Sequence, residues 1–288
     1  MIRLGMIGAE SYHAIKLAKI ANIFKNHWDQ TIPVQVDMIW GESEQQVKRV
    51  AQQAQIPHVA AHPEDMIGHV DGVMIVLRRG DSHMDAAMPF LQRGIPVWVD
   101  KPFAHDVQNA VQMIQQAQKT GGILMGGSIC PLCDDVCDLK KKVQTLRKNG
   151  TLRSAMLNFP AQVDSPYGGL SFYGIHGIQI VLETFGESPC CIRTDQHTGS
   201  LTATFDYADV SVLLNFAQTP DTYGILLASQ ETIVHPIRPE DGYQKALCNF
   251  VQAIRNGNGT DPQYLLPPIL ALNAVEESLR TGMRIKLY

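Results

Sequence analysis

The stretch Val97-Trp98-Val99-Asp100-Lys101-Pro102 is an apolar run that leads directly into an acid, a lysine and a proline. Three large apolar residues in succession predict a strand that is buried on both faces of a sheet. Parallel α/β sheets bind their ligands at the carboxyl ends of such strands, which is where Lys101 stands. An ammonium group there suits proton transfer or the orientation of a substrate hydroxyl. Taken alone, an Asp-Lys-Pro tripeptide at a strand end is more often an ordinary loop, so the weight of this one comes from the sequence on either side.

Strand and helix patterns alternate on both sides of this stretch. The strand patterns lie at 2–8, 34–40, 56–59, 71–77, 97–99 and 123–127, with helical patterns between them. This alternation predicts an α/β protein whose N-terminal domain, residues 1–127, has a Rossmann-like, doubly wound parallel sheet. Asp81 or Ser82 is expected to cap the helix that ends at Gly94.

Residues 128–288 have a different rhythm. A charged helix at about 134–148 leads into a strand at 153–159, and a loop rich in Gly, Pro and Tyr precedes a helix that is expected to start near His176. Closely spaced strands from Cys191 to Val234 predict an α+β domain with a mainly antiparallel open sheet, followed by two helices at about 241–256 and 265–281. The open face of that sheet predicts a homodimer or homotetramer.

Composition bounds the possible partners of this 288-residue chain. A net charge of -4 argues against nucleic acid or an anionic membrane as the main partner, and favours a small-molecule substrate. No apolar run approaches the roughly 20 residues that a membrane span needs. The first residues enter a strand and not a secretory signal, and the six cysteines are then expected to be reduced thiols in a cytoplasmic protein.

The segment from Gly8 to His13 occupies the strand-to-helix turn where a G-x-G-x-x-G dinucleotide fingerprint is expected. The first glycine is present, but Glu10 replaces the second and His13 replaces the third. An acid in this turn should repel a phosphate unless its side chain points away, whereas Ser11 still offers a helix cap and free N–H groups behind it. A purely structural turn is the alternative.

Further cofactor contacts are predicted downstream of this turn. Glu42 lies roughly where a ribose-binding acid is expected, which favours NAD over NADP, although helix capping is also open to it. Arg78 and Arg79 end the strand at 71–77, where they would compensate for Glu10, bind a substrate anion or face solvent. His83 has a structural reading as well. The predicted cofactor-binding set is Gly8, Ala9, Glu10, Ser11, Glu42, Leu77, Arg78, His83, Asp100 and Lys101.

In this order, the motifs resemble the Gfo/Idh/MocA family of NAD(P)-dependent oxidoreductases along the whole chain. The segment from Gly94 to Pro102 resembles the family's Gly…Glu-Lys-Pro motif, with aspartate in place of glutamate, and Tyr173-Gly174-Ile175-His176 resembles its catalytic-histidine motif. The resemblance implies NAD or NADP as cofactor, NAD being favoured. It also implies hydride transfer to or from a small polar substrate such as a sugar, a polyol or a hydroxy acid.

The chain also departs from the family pattern, which places it in a divergent branch. Phe172 and Gln179 stand where the family has aspartates, four residues before the histidine and three after it. In the leading hypothesis His176 is the acid–base group, Lys101 polarises the same oxygen, and Tyr173 relays a proton or walls the pocket. A histidine bonded to the backbone at a helix start is the structural alternative. The competing function is a catalytically silent ligand-sensing or regulatory protein on the same scaffold.

Cys130, Cys133 and Cys137 invite a metal-site interpretation, because the last two would share one helix face. No fourth ligand follows at a recognisable spacing, so we expect no metal and thiols that line a pocket or pack a helix. The pair Cys190 and Cys191 is expected to pack in a strand.

Overall fold

The computed structural model describes residues 1–24, 33–198, 200–217 and 219–287. These residues form two compact units, the first from Met1–Gly127 with Tyr243–Leu266 and the second from Ser128–Gly242 with the chain from Pro267 onward. The sequence predicts a single division at 127/128, whereas Tyr243–Leu266 groups here with the first sheet. The packing gives the reason: a Cβ on Gly72 would lie 2.8 Å from Cδ1 of Ile254, and the Gly126 N–H donates to Tyr264 Oη at 3.0 Å.

The first unit contains a six-stranded sheet in the order β3-β2-β1-β4-β5-β6. All five strand pairs are parallel, so the predicted doubly wound parallel sheet is confirmed. Because the strand order reverses between β1 and β4, ligands of such sheets bind at the carboxyl ends of these strands. The strands are β1 (Ile2–Ile7), β2 (Val34–Trp40), β3 (His58–Val59), β4 (Gly72–Ile75), β5 (Val97–Asp100) and β6 (Leu124–Gly127).

Side-chain caps fix where several helices of this unit begin. Ser11 accepts from the His13 N–H, Ser43 from the Gln46 N–H and Asp106 from the Asn109 N–H, each satisfying a donor that the first turn leaves open. The helices are α1 (Tyr12–Asn22), α2 (Glu44–Ala54), α3 (His83–Leu91), α4 (Val107–Thr120) and, later in the chain, α7 (Gly242–Asn256).

The start of α3 differs in part from its prediction. Ser82 is the N-cap residue of α3, as one of the two predicted alternatives has it, but its side chain makes no capping hydrogen bond, because it ends a short 3-10 turn, Gly80–Ser82, that leads into the helix. The carboxylate of Asp81 is instead paired with Arg79.

The second unit is built on a seven-stranded sheet in the order β12-β11-β7-β10-β9-β8-β13. Among the strands that the structure describes, only the β7–β10 pair is parallel and the other pairs are antiparallel, so the prediction of a mainly antiparallel sheet is confirmed. The strands are β7 (Leu152–Pro160), β8 (Cys191–His197), β9 (Ser200–Asp206), β10 (Ser211–Ala217), β11 (Tyr223–Ala228), β12 (Thr232–Pro236) and β13 (Ile285–Lys286).

The helices of this unit are α5 (Asp134–Lys148), α6 (Leu170–Phe185) and α8 (Leu266–Thr281). Helix α6 lies close to the sheet, since a Cβ on Gly177 would be 3.1 Å from Leu214 Cδ1. It begins six residues before His176, so the predicted helix start was wrong and His176 lies in the second turn. Gly174 weakens the helical pattern of this turn in the sequence. The close packing favours glycine there, because a Cβ would lie 2.6 Å from Leu170 Cδ1.

Across the described residues, every helix is too short or too polar to cross a lipid bilayer.

Candidate active site

The β1–α1 turn keeps the one glycine that its path demands. Gly8 has a φ of +112°, and a Cβ on it would lie 2.8 Å from the backbone N of Leu77, so another residue would collide with the end of β4. Its N–H donates to the Trp40 carbonyl at 2.8 Å, which ties the turn to β2. The turn therefore retains a tight path into a capped helix N-terminus, which is the geometry that a dinucleotide phosphate requires.

Glu10, in the place of the second glycine, points toward α2. Its Oε2 accepts the Ala9 N–H at 3.0 Å and its Oε1 accepts the Ser43 N–H at 2.8 Å. Oε1 therefore reaches the N-cap of α2, while Oε2 stays on the backbone of its own turn. The carboxylate links the β1–α1 turn to α2, and each of its oxygens is met by a backbone donor.

His13, in the place of the third glycine, reaches the end of β5. Its Nδ1 lies 2.7 Å from Asp100 Oδ2, and its ring stands edge-on to Tyr243 at 5.0 Å. Both partners of the ion pair are buried. Burial alone would raise the pKa of Asp100, but the charge and hydrogen bond of His13, together with the Lys101 ammonium, hold it below its ordinary value.

Lys101 follows Asp100 and is 5% exposed. The loop that carries it is braced by His83, whose Nδ1 lies 2.8 Å from the Pro102 carbonyl and whose Nε2 lies 3.0 Å from the Leu77 carbonyl. Burial lowers the pKa of His83, although these carbonyls and Asp100 partly oppose the shift. His83 thus joins the ends of β4 and β5 as a fully buried brace, and its proposed contact with a cofactor has no support in this placement.

The remaining predicted cofactor residues lie at the same sheet edge but differ in exposure. Leu77 is buried, whereas Glu42 and Arg78 are exposed. Arg79, which the sequence offered as a counter-charge for Glu10, is paired through Nε and Nη2 with Asp81.

In the second unit, His176 is buried and held by side chains. Its Nδ1 lies 2.6 Å from Ser128 Oγ and 3.4 Å from Cys130 Sγ. Ser128 Oγ also accepts the Cys130 N–H at 3.0 Å, which fixes the position of the hydroxyl. The structural alternative, a helix-start histidine bonded to the backbone, does not describe these contacts.

The two positions that depart from the family pattern have distinct surroundings in α6. Gln179 accepts the Ser128 N–H through Oε1 at 2.8 Å, so it holds the residue that contacts His176. Phe172 stacks at a tilt on Tyr167, with ring centroids 5.0 Å apart. An amide and an aromatic ring therefore stand where the resemblance implies two carboxylates.

A cavity of about 460 Å³ lies within the second unit, and its wall includes Tyr173 but not His176. Tyr173 lines it and meets the His176 ring edge-on at 5.2 Å. Burial, with a smaller effect of Cys130, raises the pKa of Tyr173, so the phenol stays protonated at neutral pH. Besides Tyr173, the wall includes Pro160, Gln162, Ser165, Phe172 and Thr219.

The cysteine cluster is built of packed thiols. The six cysteines are thiols outside any disulfide, and burial raises the pKa of Cys133 to about 11. Within the described part of the chain, no three metal-ligating side chains come together.

Sequence reasoning missed Ser128 and Ser43. Ser128 follows β6 directly, and the rule that singled out Lys101 at the end of β5 applies equally to that position. Ser43 contributes its backbone N–H, for which residue identity gives no signal.

Residues 2–128 match the model of a family described as the oxidoreductase family with an NAD-binding Rossmann fold, GFO_IDH_MocA. A comparison of the sequence with curated proteins finds no match.

Several solved dehydrogenase structures share the fold at low sequence identity. A probable dehydrogenase from Thermotoga maritima has a TM-score of 0.82 at 15% identity over 99% of both chains. A myo-inositol dehydrogenase from Corynebacterium glutamicum has a TM-score of 0.81 at 16% identity, over 100% of this chain and 99% of the other. A scyllo-inositol dehydrogenase from Lactobacillus casei, solved with NAD(H) and scyllo-inositol, gives 0.81 at 15% identity with the same coverage.

Proposed function

Because its nucleotide-binding domain, residues 2–128, belongs to the Gfo/Idh/MocA oxidoreductase family with an NAD-binding Rossmann fold, we propose that this protein is an NAD-dependent dehydrogenase. Its substrate is a small polar molecule with a secondary hydroxyl group, of the sugar, polyol or hydroxy-acid class. The observation that carries the proposal is the buried His176, whose Nδ1 lies 2.6 Å from Ser128 Oγ and whose ring meets Tyr173, a wall residue of the cavity, edge-on at 5.2 Å.

His176 is the proposed acid–base group. In the tautomer that carries its proton on Nδ1, that N–H donates to Ser128 Oγ, and the lone pair lies on Nε2. This nitrogen then takes the hydroxyl proton of the substrate as the alcohol is oxidised, and returns it in the reverse direction. The nicotinamide, when bound, accepts or supplies the hydride.

Lys101 is the proposed polarising group. Its ammonium, at the carboxyl end of β5, is suited to donate a hydrogen bond to a substrate hydroxyl and to stabilise the negative charge that develops as the proton leaves. The brace of His83 between Leu77 and Pro102 fixes the loop that presents it. Tyr173 remains protonated, so it is assigned the role of a cavity wall and hydrogen-bond donor to the substrate, and not that of a base.

The substitution Lys101→Met tests this proposal, because it keeps the length of the side chain and removes its charge. We expect turnover to fall by a factor of about 1000, the effect of losing a donor to a developing oxyanion. NADH-linked absorbance over a panel of polyols, sugars and hydroxy acids measures turnover, and NADH fluorescence measures cofactor binding. Lys119→Met, on the exposed last turn of α4, is the control and should retain both.

A second candidate function is supported by Phe172, which gives the cavity an apolar wall where the family pattern has an acid. In that case the protein binds NAD(H) and a polar ligand without hydride transfer. Ligand-dependent quenching of NADH fluorescence with no turnover across the panel would favour this sensor over the dehydrogenase. A protein that binds neither dinucleotide would rule out both functions.

The outer face of the second sheet is the proposed subunit interface of a homodimer or homotetramer. A row of apolar side chains crosses it in register: Val234, Ile225, Met156 and Leu213. Val234 is 63% exposed, so part of this row faces solvent in a single chain. Light scattering coupled to size exclusion should give the mass of two or four chains, and Ile225→Lys should reduce it to one.

A further inference from the structure

The end of β2 is where Rossmann domains place the acid that binds the ribose of adenosine, and here that end has no room for one. Gly41 follows the strand directly, and a Cβ on it would lie 2.8 Å from the Ala9 Cβ and 2.9 Å from Val47 Cγ2. The next residue, Glu42, has an exposed side chain. The packing of the first turn against α2 therefore excludes a side chain at the position from which the ribose is usually reached.

Glu10 brings a carboxylate to this place from the other side. Its side chain crosses from the β1–α1 turn to the start of α2 and is held there by the N–H groups of Ala9 and Ser43, at 3.0 and 2.8 Å. A carboxylate has about four acceptor positions, and these two bonds use one on each oxygen. The half-buried, immobilised group keeps further lone pairs for hydroxyl donors.

We propose that Glu10 is the ribose acceptor of this protein and sets its preference for NAD over NADP. The inference rests on the proposed function, since it concerns the same dinucleotide site. The 2′- and 3′-hydroxyls of the adenosine ribose donate to the carboxylate. The 2′-phosphate of NADP has no proton to donate at neutral pH and adds negative charge beside Glu10, which disfavours its binding.

The neighbouring cation does not relieve this repulsion. Arg79, at the adjacent end of β4, is paired with Asp81 through Nε and Nη2. A phosphate at the start of α2 would have to compete with that carboxylate for the guanidinium.

A structural role of Glu10 makes a different prediction. Ser43 is the N-cap of α2, and in a capping box the N-cap N–H is satisfied by a side chain three residues later. Glu10 supplies that acceptor from another turn, so its loss should destabilise α2 in any case. Only the ribose role links the charge of Glu10 to the choice between dinucleotides.

Calorimetric titration with NAD+, NADP+ and ADP-ribose tests the proposal without any turnover. Wild-type protein should bind NAD+ about 100-fold more tightly than NADP+. Glu10→Gln should weaken NAD+ and ADP-ribose binding by a factor of about 10 to 100, as expected for a hydrogen bond to a charged group, and should leave NADP+ binding unchanged or tighter. Glu10→Asp keeps the charge and should still reject NADP+.

Glu44→Gln is the matched control, since Glu44 lies on the exposed first turn of α2 and pairs with Lys48. It should change each dissociation constant less than about twofold. Thermal melting without ligand shows whether each variant is folded. If Glu10→Gln melts cooperatively and keeps the wild-type ratio of NAD+ to NADP+ affinity, or if Glu42→Gln loses that ratio instead, the proposal is wrong while the proposed function stands. Wild-type protein that binds none of the three ligands would overturn both.

Discussion

The β1–α1 turn and helix α6 both depart from the family pattern at two positions, but they are rebuilt in different ways. In the turn, two glycine positions hold polar residues, and each reaches a distant partner: Glu10 binds the Ser43 N–H and His13 pairs with Asp100. In α6, two acid positions hold residues without charge. Gln179 binds the Ser128 N–H, whereas Phe172 packs against an aromatic ring.

A residue that departs from the family pattern has to be interpreted together with the group that its side chain contacts. The turn gained two polar side chains, and each is bound to a partner inside the first unit. Helix α6 lost charged groups, and the orientation of His176 now depends on a neutral hydroxyl. The β1–α1 turn is thus held by contacts of carboxylates, whereas helix α6 is held by neutral hydrogen bonds and aromatic packing.

The largest expected effect on stability comes from restoring the family glycine at position 13. His13→Gly removes the group 2.7 Å from the buried Asp100 carboxylate and leaves Lys101 alone to stabilise it, which costs about 3–5 kcal/mol in the free energy of unfolding. Urea denaturation measures the loss. The exposed Tyr12→Gly, in the same helical turn, should cost only about 1 kcal/mol, the helix propensity of glycine.

Coupling between the two residues provides the decisive check. Adding Asp100→Asn to His13→Gly removes the stranded charge and should recover most of the lost stability. A His13→Gly variant as stable as the Tyr12→Gly control would mean that the pair contributes nothing, and that the third glycine was simply dispensable.

Much of the fold could be predicted from the sequence because its signals are local. Helix α5 begins and ends where the charged pattern at 134–148 places it, the apolar run at 71–77 contains β4, and the run at 97–99 makes up β5 except for Asp100. The start of α6 was missed because glycine in a helix interior normally argues against one, whereas Gly174 is required by the close approach of Leu170.

The polar pairs of the candidate site could not be predicted in the same way. Ser128 and His176 are 48 residues apart, and Glu10 and Ser43 are 33 apart. Hydrophobic periodicity reports which face of an element is buried, but it carries no information on which polar groups meet across a sheet edge. Lys101, His176 and His83 could be named as candidates from the sequence, whereas Ser128, which contacts His176, could not.

A smaller effect is expected from removing the neutral support of His176. Ser128→Ala deletes the hydroxyl beside Nδ1. We expect kcat to fall by a factor of about 10 to 100, because the imidazole is no longer held in its orientation, and KM to change little, because the contacts to the substrate are kept. Two-bond nitrogen–proton NMR correlations of His176 should show a changed balance of the two tautomers. Ser128→Thr keeps the hydroxyl and should restore both readouts in part. An unchanged tautomer balance in Ser128→Ala would show that Ser128 does not position this histidine.

The smallest expected effect is on the pH dependence of the free energy of unfolding, and it comes from His83. Burial lowers the pKa of His83 in the folded protein, so its charged form is disfavoured there, whereas an unfolded histidine titrates near 6.5. Below about pH 6.5 the unfolded chain therefore binds a proton that the folded chain does not, and the free energy of unfolding falls by up to about 1.4 kcal/mol per pH unit. Above that pH the contribution is constant.

His83→Asn and His83→Gln cannot titrate, so their stability between pH 7.5 and 5.5, measured in urea, should fall less steeply than that of the wild type. Equal slopes in all three proteins would mean that the folded structure accepts the proton, and that His83 is not the neutral brace between β4 and β5 on which the placement of Lys101 depends.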